Sequence, residues 1–318
     1  MEVVVELRQL AYALAVAEEL HFGRAAARMR VSQQSVSEQV RRLERELGAA
    51  LFVRTSRRVA LTAVGEAFLP EARRAVRAAQ RARDVGRRAA QGLGRELRVG
   101  YAEDLGPRLF QLTGPALAGE RVHVTPVPMR TPEQLAELRE QRLDLAFGWA
   151  PPPAPDLEDL LVTREPLVAA MAADHPLVGA GPFDPRALSG RPLVVVQRAV
   201  NPWLHDAILR QLHDRGATVT VTAEHSTIDQ VLPLVLSSAA VGVTTASAAA
   251  SRSHPGVVYR PFTAPSPTVD HRLVWRRDTG NRAVTTFVDV ARRLRDSGAF
   301  LPAELPTGLP LPAAPGAR

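Results

Sequence analysis

Cysteine and lysine are both missing from the chain. Without cysteine there is no disulfide, no thiolate metal site and no thiol redox sensor. Without lysine there is neither the P-loop ammonium of nucleotide hydrolases nor a Schiff base to pyridoxal phosphate. Long apolar runs are also scarce. The opening MEVVVELRQL has no basic start and no extended apolar stretch, so no secretory signal is expected. The one uncharged stretch of membrane length, 230–251, carries Pro233 and many hydroxyl residues, and reads as a soluble helix followed by a buried strand. No HExxH, GxSxG or glycine-rich phosphate loop occurs, and no acid/base carboxylate pair stands out. The eight histidines are scattered, and His205–Asp206 and His213–Asp214, eight residues apart, read as surface pairs rather than metal ligands. These absences leave no expected metal, cofactor or membrane partner, and the chain is expected not to be an enzyme.

What is present is an uneven distribution of positive charge. Residues 1–92 hold 17 arginines against 10 acidic residues, whereas 93–318 hold 23 of each, so the whole net charge of +7 sits in the first 92 residues. A basic block joined to a neutral remainder suits one part meeting a polyanion while the other does not.

The basic block opens with Leu7, Leu10, Ala11, Leu14 and Ala17 at helical spacing. A short Ala-rich helix at 24–29 follows, then Ser32 as an N-cap, then a helix burying Val36, Val40, Leu43 and Leu47. Its opposite face is polar: Gln34, Ser37, Glu38 and Arg41, with Gln33 and Ser35 in the first turn. Short helix, tight turn and longer helix with a polar face make the helix-turn-helix layout. Two short strands, 51–53 and 59–61, then flank Arg54, Arg57 and Arg58, which predicts a wing with a cationic tip. A long helix from Thr62 to about 90 carries a small-residue seam (Phe68, Ala72, Ala75, Ala79, Ala82, Gly86, Ala89), suited to pairing with a second helix or to packing on its own domain. Pro70 is expected to kink its first turns.

After a Gly-containing hinge at 91–94 the chain alternates strands (97–101, 122–127, 143–147) with helices (107–118, 132–141). Prolines at 151–155 interrupt it, and a second series follows, with strands at 167–172, 193–196, 218–223 and 241–244 and helices at 203–214 and 227–236. Short strands alternating with helices imply parallel sheets in two lobes. A strand near 273–275 and a helix at 281–296 close the fold, and the proline-rich tail from 297 onward reads as disordered.

The residues FGRAAARMRVSQQSVSEQVRRLERELGAALFVRT (22–55) and RRVALTAVGEAFL (57–69), followed by RLDLAFGW (142–149), DHPL (174–177) and TIDQVLPLVLSSAAVGVT (227–244), resemble the LysR-type transcriptional regulators. The resemblance implies a winged helix-turn-helix (1–62), a linker helix for dimerisation (63–91) and an effector domain similar to type 2 periplasmic binding proteins (92–297). Its lobes are expected at 95–161 with 268–297, and at 162–267, followed by a disordered tail (298–318). It also implies a cytoplasmic homodimer or homotetramer bound to double-stranded DNA. His21 and Gly23 stand where Ser and Thr or Ser are common, so the usual hydroxyl cap of the second helix is missing; Gln34 replaces a common Pro and Glu38 a common Arg.

DNA contact is therefore expected from Gln33, Gln34, Ser35, Ser37 and Arg41, because Gln pairs bidentately with adenine and Arg with guanine. Arg54, Arg57 and Arg58 are expected on phosphate or in the minor groove, solvated turn charges being the bland alternative. A small anionic or polar effector is expected between the lobes, where strand C-termini converge. Its candidate residues are Tyr101, Thr131 and Thr227 (the last two equally readable as plain helix caps), with Gln197, Arg198 and Asn201 from the second lobe. Of these, Arg198 is the expected carboxylate partner. An enzyme or solute-binding module with a DNA-binding appendage is the alternative, but the sequence holds neither a catalytic constellation nor the expected export signal.

Overall fold

A computed structural model describes residues 5–54, 58–90, 95–102, 106–179, 181–252 and 254–300, with the backbone alone described at 88 and 89. The chain divides into two compact units, Met1–Leu93 and Gly94–Arg318.

In the first unit, α1 (Leu7–Glu19), α2 (Phe22–Met29) and α3 (Gln33–Leu47) lead to β1 (Phe52–Arg54), β2 (Val59–Leu61) and the 28-residue α4 (Ala63–Ala90). The expected order of elements is present throughout. The inward face of α1 differs from the expected one: α1 packs against α2, α3 and α4, so Gln9, Leu10, Ala13, Leu14 and Val16 are buried while Leu7 is 49% exposed. Gln9 tolerates burial because its amide is partnered, accepting from Glu6 N at 2.8 Å and donating to Glu46 at 3.3 Å. Val36, Val40 and Leu43 of α3 are fully buried, each worth about 1.5–3 kcal/mol as an upper bound. Ser32 caps α3 as expected, its Oγ accepting from Ser35 N at 3.1 Å. Strands β1 and β2 pair antiparallel, Arg54 opposite Val59, and form the wing. Helix α4 continues through Pro70. Its seam is split: Ala72 is buried in the core of its own unit, along with Leu69, whereas Ala82 and Gly86 are exposed.

The second unit begins with β3 (Arg95–Tyr101), α5 (Gly106–Gly119), β4 (Val122–Pro128), α6 (Thr131–Arg139) and β5 (Leu145–Trp149). These three strands pair parallel in the order β4-β3-β5. Next come β6 (Leu157–Ala172), a short 3-10 turn at Pro185–Leu188, β7 (Pro192–Val196), α7 (Pro202–His213) and β8 (Thr220–His225). A 3-10 turn at Ile228–Gln230 leads into α8 (Val231–Leu236), β9 (Val241–Thr245), α9 (Ala246–Ala250), β10 (Val257–Pro261), β11 (Thr268–Arg276) and α10 (Arg282–Asp296). Strands β8-β7-β9 form a second parallel group. The expected parallel pairing thus holds inside each lobe.

Two antiparallel strands join the lobes, and neither was fully visible in the sequence. The first half of β6 pairs with β11 from Leu157 to Pro166, and its second half turns to β9 and β10 from Leu167 onward. Pro166, which lacks an N–H, sits where the partner changes. Strand β6 therefore begins ten residues before the expected start at 167, because 157–166 mixes Glu158, Asp159, Arg164 and Glu165 with the apolar residues and hides the strand pattern. The uncharged 230–251 stretch is α8, β9 and α9, and no helix among the described residues is long and apolar enough to cross a membrane. The start of the tail departs from expectation as well. Phe300 is 4% exposed beside Phe147, and the Arg108 guanidinium donates to Ala299 O at 2.7 Å. Residues 301–318 lie outside the described residues.

Candidate nucleic-acid interface and ligand cavity

The outward face of α3 forms an open groove lined by Gln33, Gln34, Ser37, Glu38, Arg41 and Arg45. Gln33, Gln34 and Arg41 are exposed; Ser35 and Ser37 are half-buried. Neighbouring arginines are held by acids: Arg24 by Glu19, Arg28 by Glu18, and Arg42 by Glu46. Arg41 and Arg45 make no ion pair with a described residue, which leaves two cations on the groove side.

The three wing arginines separate. Arg58 is exposed, and Arg57 lies outside the described residues. Arg54 turns inward instead of standing at the tip: its guanidinium meets Glu44 at 2.9 Å and Ser37 Oγ at 3.3 Å, and lies 4.3 Å above the Phe22 ring. Glu44, unremarked in the sequence, also accepts the main-chain N–H of Leu51 at 3.0 Å and of Phe52 at 3.2 Å. One carboxylate on α3 thereby fixes the first strand of the wing. Its signal in the sequence is only an acidic residue seven positions before Leu51, which is not distinctive.

The helix-cap departures at 21 and 23 belong together. The His21 imidazole replaces a hydroxyl, Nδ1 accepting from Gly23 N at 3.0 Å and Arg24 N at 3.2 Å. A Cβ at position 23 would lie 3.0 Å from His21 Cε1, so glycine there leaves the larger cap its room without a shift of the imidazole.

In the second unit, a cavity of about 320 Å³ opens where the C-terminal ends of all six parallel strands converge. Ala102 follows β3, Arg130 follows β4 and Trp149 ends β5; Val196, His225 and Thr245 end β7, β8 and β9. Of the residues expected at an effector site, Thr131, Asn201 and Thr227 line it. Tyr101, Gln197 and Arg198 do not. Tyr101 packs edge-on to Phe110 at 5.2 Å. Gln197 contributes its main chain, its N–H donating to His225 O at 2.8 Å. Arg198 is exposed and bidentate to Asp206 at 3.0 Å, and its charge is spent on α7.

Neither threonine makes a side-chain helix cap: Arg130, not Thr131, is the N-cap residue of α6, and Thr227 holds the N-cap position of the 3-10 turn at Ile228–Gln230 without its hydroxyl bonding there. Thr131 is buried inside α6's first turn, and its Oγ1 accepts from Trp149 N at 3.1 Å. Gly148 permits this contact, since a Cβ there would stand 2.7 Å from Thr131 Cγ2. Asn201 caps α7 through Leu204 N at 3.1 Å, and its Nδ2 donates across the cleft to Trp149 O at 3.3 Å. Trp149 stacks on His271 at 4.3 Å, and His271 on Phe147 at 3.7 Å.

Histidines account for the largest departure from expectation. His205 is buried, not on the surface, with Nδ1 2.8 Å from Val196 O; His213 is exposed as expected. His225 lines the cavity at 6% exposure, and burial depresses its pKa to about 4. Burial holds His271 lower still, at about 3. No cluster of three or more metal-ligating side chains occurs among the described residues.

Comparison with known proteins places both halves. Residues 7–66 match the family model described as a bacterial regulatory helix-turn-helix protein of the lysR family, and 90–295 match the LysR substrate binding domain. The HTH-type transcriptional regulator IlvR of Caulobacter vibrioides is 31% identical over 93% of this chain and 99% of its own. YnfL of Escherichia coli, an uncharacterized regulator, is 35% identical over 76% of this chain and 83% of its own. Among solved structures, full-length CbnR complexed with its target DNA superposes with a TM-score of 0.70 at 27% identity, covering 91% of this chain and 99% of that one.

Proposed function

The chain belongs to the LysR family of DNA-binding transcriptional regulators, and from that premise we propose how it reads DNA and what controls it. The α3 face supplies base contacts through Gln33, Gln34, Ser37 and Arg41, with Ser35 contributing its half-buried first-turn position. Arg57 and Arg58 supply phosphate or minor-groove contacts from the wing, and Arg54 orients that wing before it touches DNA. The reading is supported chiefly by one contrast: on a single helix Val36, Val40 and Leu43 are fully buried while Gln33, Gln34 and Arg41 are exposed beside unspent positive charge. The exposed second half of α4 acts as the dimerisation seam, giving a homodimer or homotetramer on two half-sites.

The effector occupies the 320 Å³ cavity, at the small end of ligand pockets. Because Asn201 and Trp149 bond across the cleft, a ligand seated there alters how the lobes close, and lobe closure alters the spacing of the DNA-binding domains. The protein acts in the cytoplasm as a regulator without catalytic activity of its own.

The test is calorimetry with the true inducer on full-length variants. Thr131→Val and Asn201→Ala should each weaken binding roughly tenfold or more, the size expected of one lost buried hydrogen bond. Arg198→Ala should bind like wild type. Wild-type affinity in the first two, or loss in the third, would put the effector elsewhere.

A further inference from the structure

The lining of the cavity carries chemical information about its occupant. Arg130 is the one cation among the described lining residues, it is exposed at the rim after β4, and it makes no ion pair with a described residue. Glu133 shares that rim, but its carboxylate is turned to the Arg130 main-chain N–H at 3.4 Å. From the other lobe comes His225. Its Nδ1 stands 3.1 Å from the Thr227 carbonyl oxygen, which can only accept. The proton therefore sits on Nδ1, and Nε2 is left as a bare acceptor. The rest of the lining mixes apolar side chains such as Met129, Trp149, Leu204 and Val243 with uncharged polar ones such as Thr131, Asn201, Thr244 and Thr245, and among the described residues it offers no second cation.

Resting on the reading of this cavity as the effector site, we propose that the ligand is a hydroxylated carboxylic acid, its carboxylate held by Arg130 and its hydroxyl donating to Nε2 of His225. A carboxylate at the buried end is disfavoured, because it would meet a lone pair on a ring that burial keeps neutral. An ammonium there is disfavoured too, since burying a charge against a neutral acceptor costs far more than burying a hydroxyl. Arg130 and His225 belong to different lobes, so one ligand with both groups ties the lobes together.

Calorimetry on the full-length protein with matched probes tests this. One set is 3-hydroxybutyrate, butyrate, 3-aminobutyrate and 3-hydroxybutyramide; the other is 4-hydroxybenzoate, benzoate and 4-hydroxybenzamide. In at least one set the hydroxy acid should bind roughly tenfold or more tightly than its partner lacking the hydroxyl, and than its amide. His225→Phe should erase the hydroxyl preference alone, and His225→Gln, which still offers an acceptor, should restore part of it. Arg130→Gln should erase the preference for acid over amide alone. Acids that bind without a hydroxyl preference, a preference for the amine, a preference that survives His225→Phe, or no binding by any probe would each overturn the ligand class. Thr227→Trp, at an exposed lining position, checks the underlying site: hydroxy-acid binding that persists in this filled cavity would overturn the cavity reading itself, whereas its loss there with no hydroxyl preference in wild type would overturn only the ligand class.

Discussion

Replacing Glu44 by Ala should loosen the wing without unfolding the helices. Its carboxylate accepts two main-chain N–H groups, of Leu51 and Phe52, at 3.0 and 3.2 Å, and both residues are buried. A hydrogen bond to a charged acceptor is worth about 1.5–3 kcal/mol. The pairing with Arg54 adds about 0.5–1 kcal/mol, since that side chain keeps 26% of its exposure. Water can reach part of a surface wing and replace some of these bonds, so the net loss should be about 3 kcal/mol, a little below the sum's lower end of about 3.5 kcal/mol. Hydrogen exchange of the 49–54 segment in the full-length protein reads the loss directly: protection should fall roughly 100-fold, because every 1.4 kcal/mol is tenfold. Glu44→Gln keeps a neutral acceptor and should fall roughly tenfold. Exchange in Glu44→Ala equal to wild type would refute the idea that this carboxylate sets the wing.

Gly148→Ala should displace Thr131, whose Cγ2 and Oγ1 lie 2.7 and 2.8 Å from the new Cβ; a thermal midpoint lowered together with effector affinity is expected, and a variant that leaves both unchanged would contradict the packing. Acid should destabilise the second unit. In the fold His225 stays neutral down to about pH 4, while in the unfolded chain it protonates near 6.5. The unfolded state thus binds the extra proton between those values, and stability falls by about 3 kcal/mol as pH drops through that window. His271, titrating at about 3, deepens the loss. The three tryptophans, Trp149, Trp203 and Trp275, all belong to this unit, so their fluorescence follows its melting alone; a midpoint constant from pH 7 to 5 would contradict the assignment.

The first unit was largely legible in the sequence because its signals are local. Ser32 caps the next turn, and Val36, Val40 and Leu43 recur at helical spacing on one face. The His21–Gly23 pair was visible as a departure, but its meaning needed the distance from an imidazole carbon to a glycine. Contacts made across long separations were not legible. Arg54 looked like a wing-tip charge until Glu44 and Phe22 stood beside it. In the second unit a cavity lies where the strand C-termini were expected to converge, and Thr131, Asn201 and Thr227 line it. Arg130 and His225, which also line it, carry no sequence signal, because a lone arginine before a helix and a lone histidine at a strand end have no periodicity to mark them. Arg198 misled for the converse reason: Asp206, eight residues later, consumes a charge that the sequence shows as free.

Footprinting of the full-length protein on the DNA upstream of its own gene, repeated with Gln33→Ala and Gln34→Ala, tests the central claim most directly. Wild type should protect two patches centred one helical turn, roughly 10 base pairs, or a multiple of it apart, and should bind that fragment roughly 1000-fold or more tightly than a scrambled one. Each glutamine variant should lose about 1–3 kcal/mol at one base position while still binding DNA non-specifically. Equal affinity for the native and scrambled fragments, or variants weakened equally on both, would contradict the assignment of α3 as the element that reads sequence.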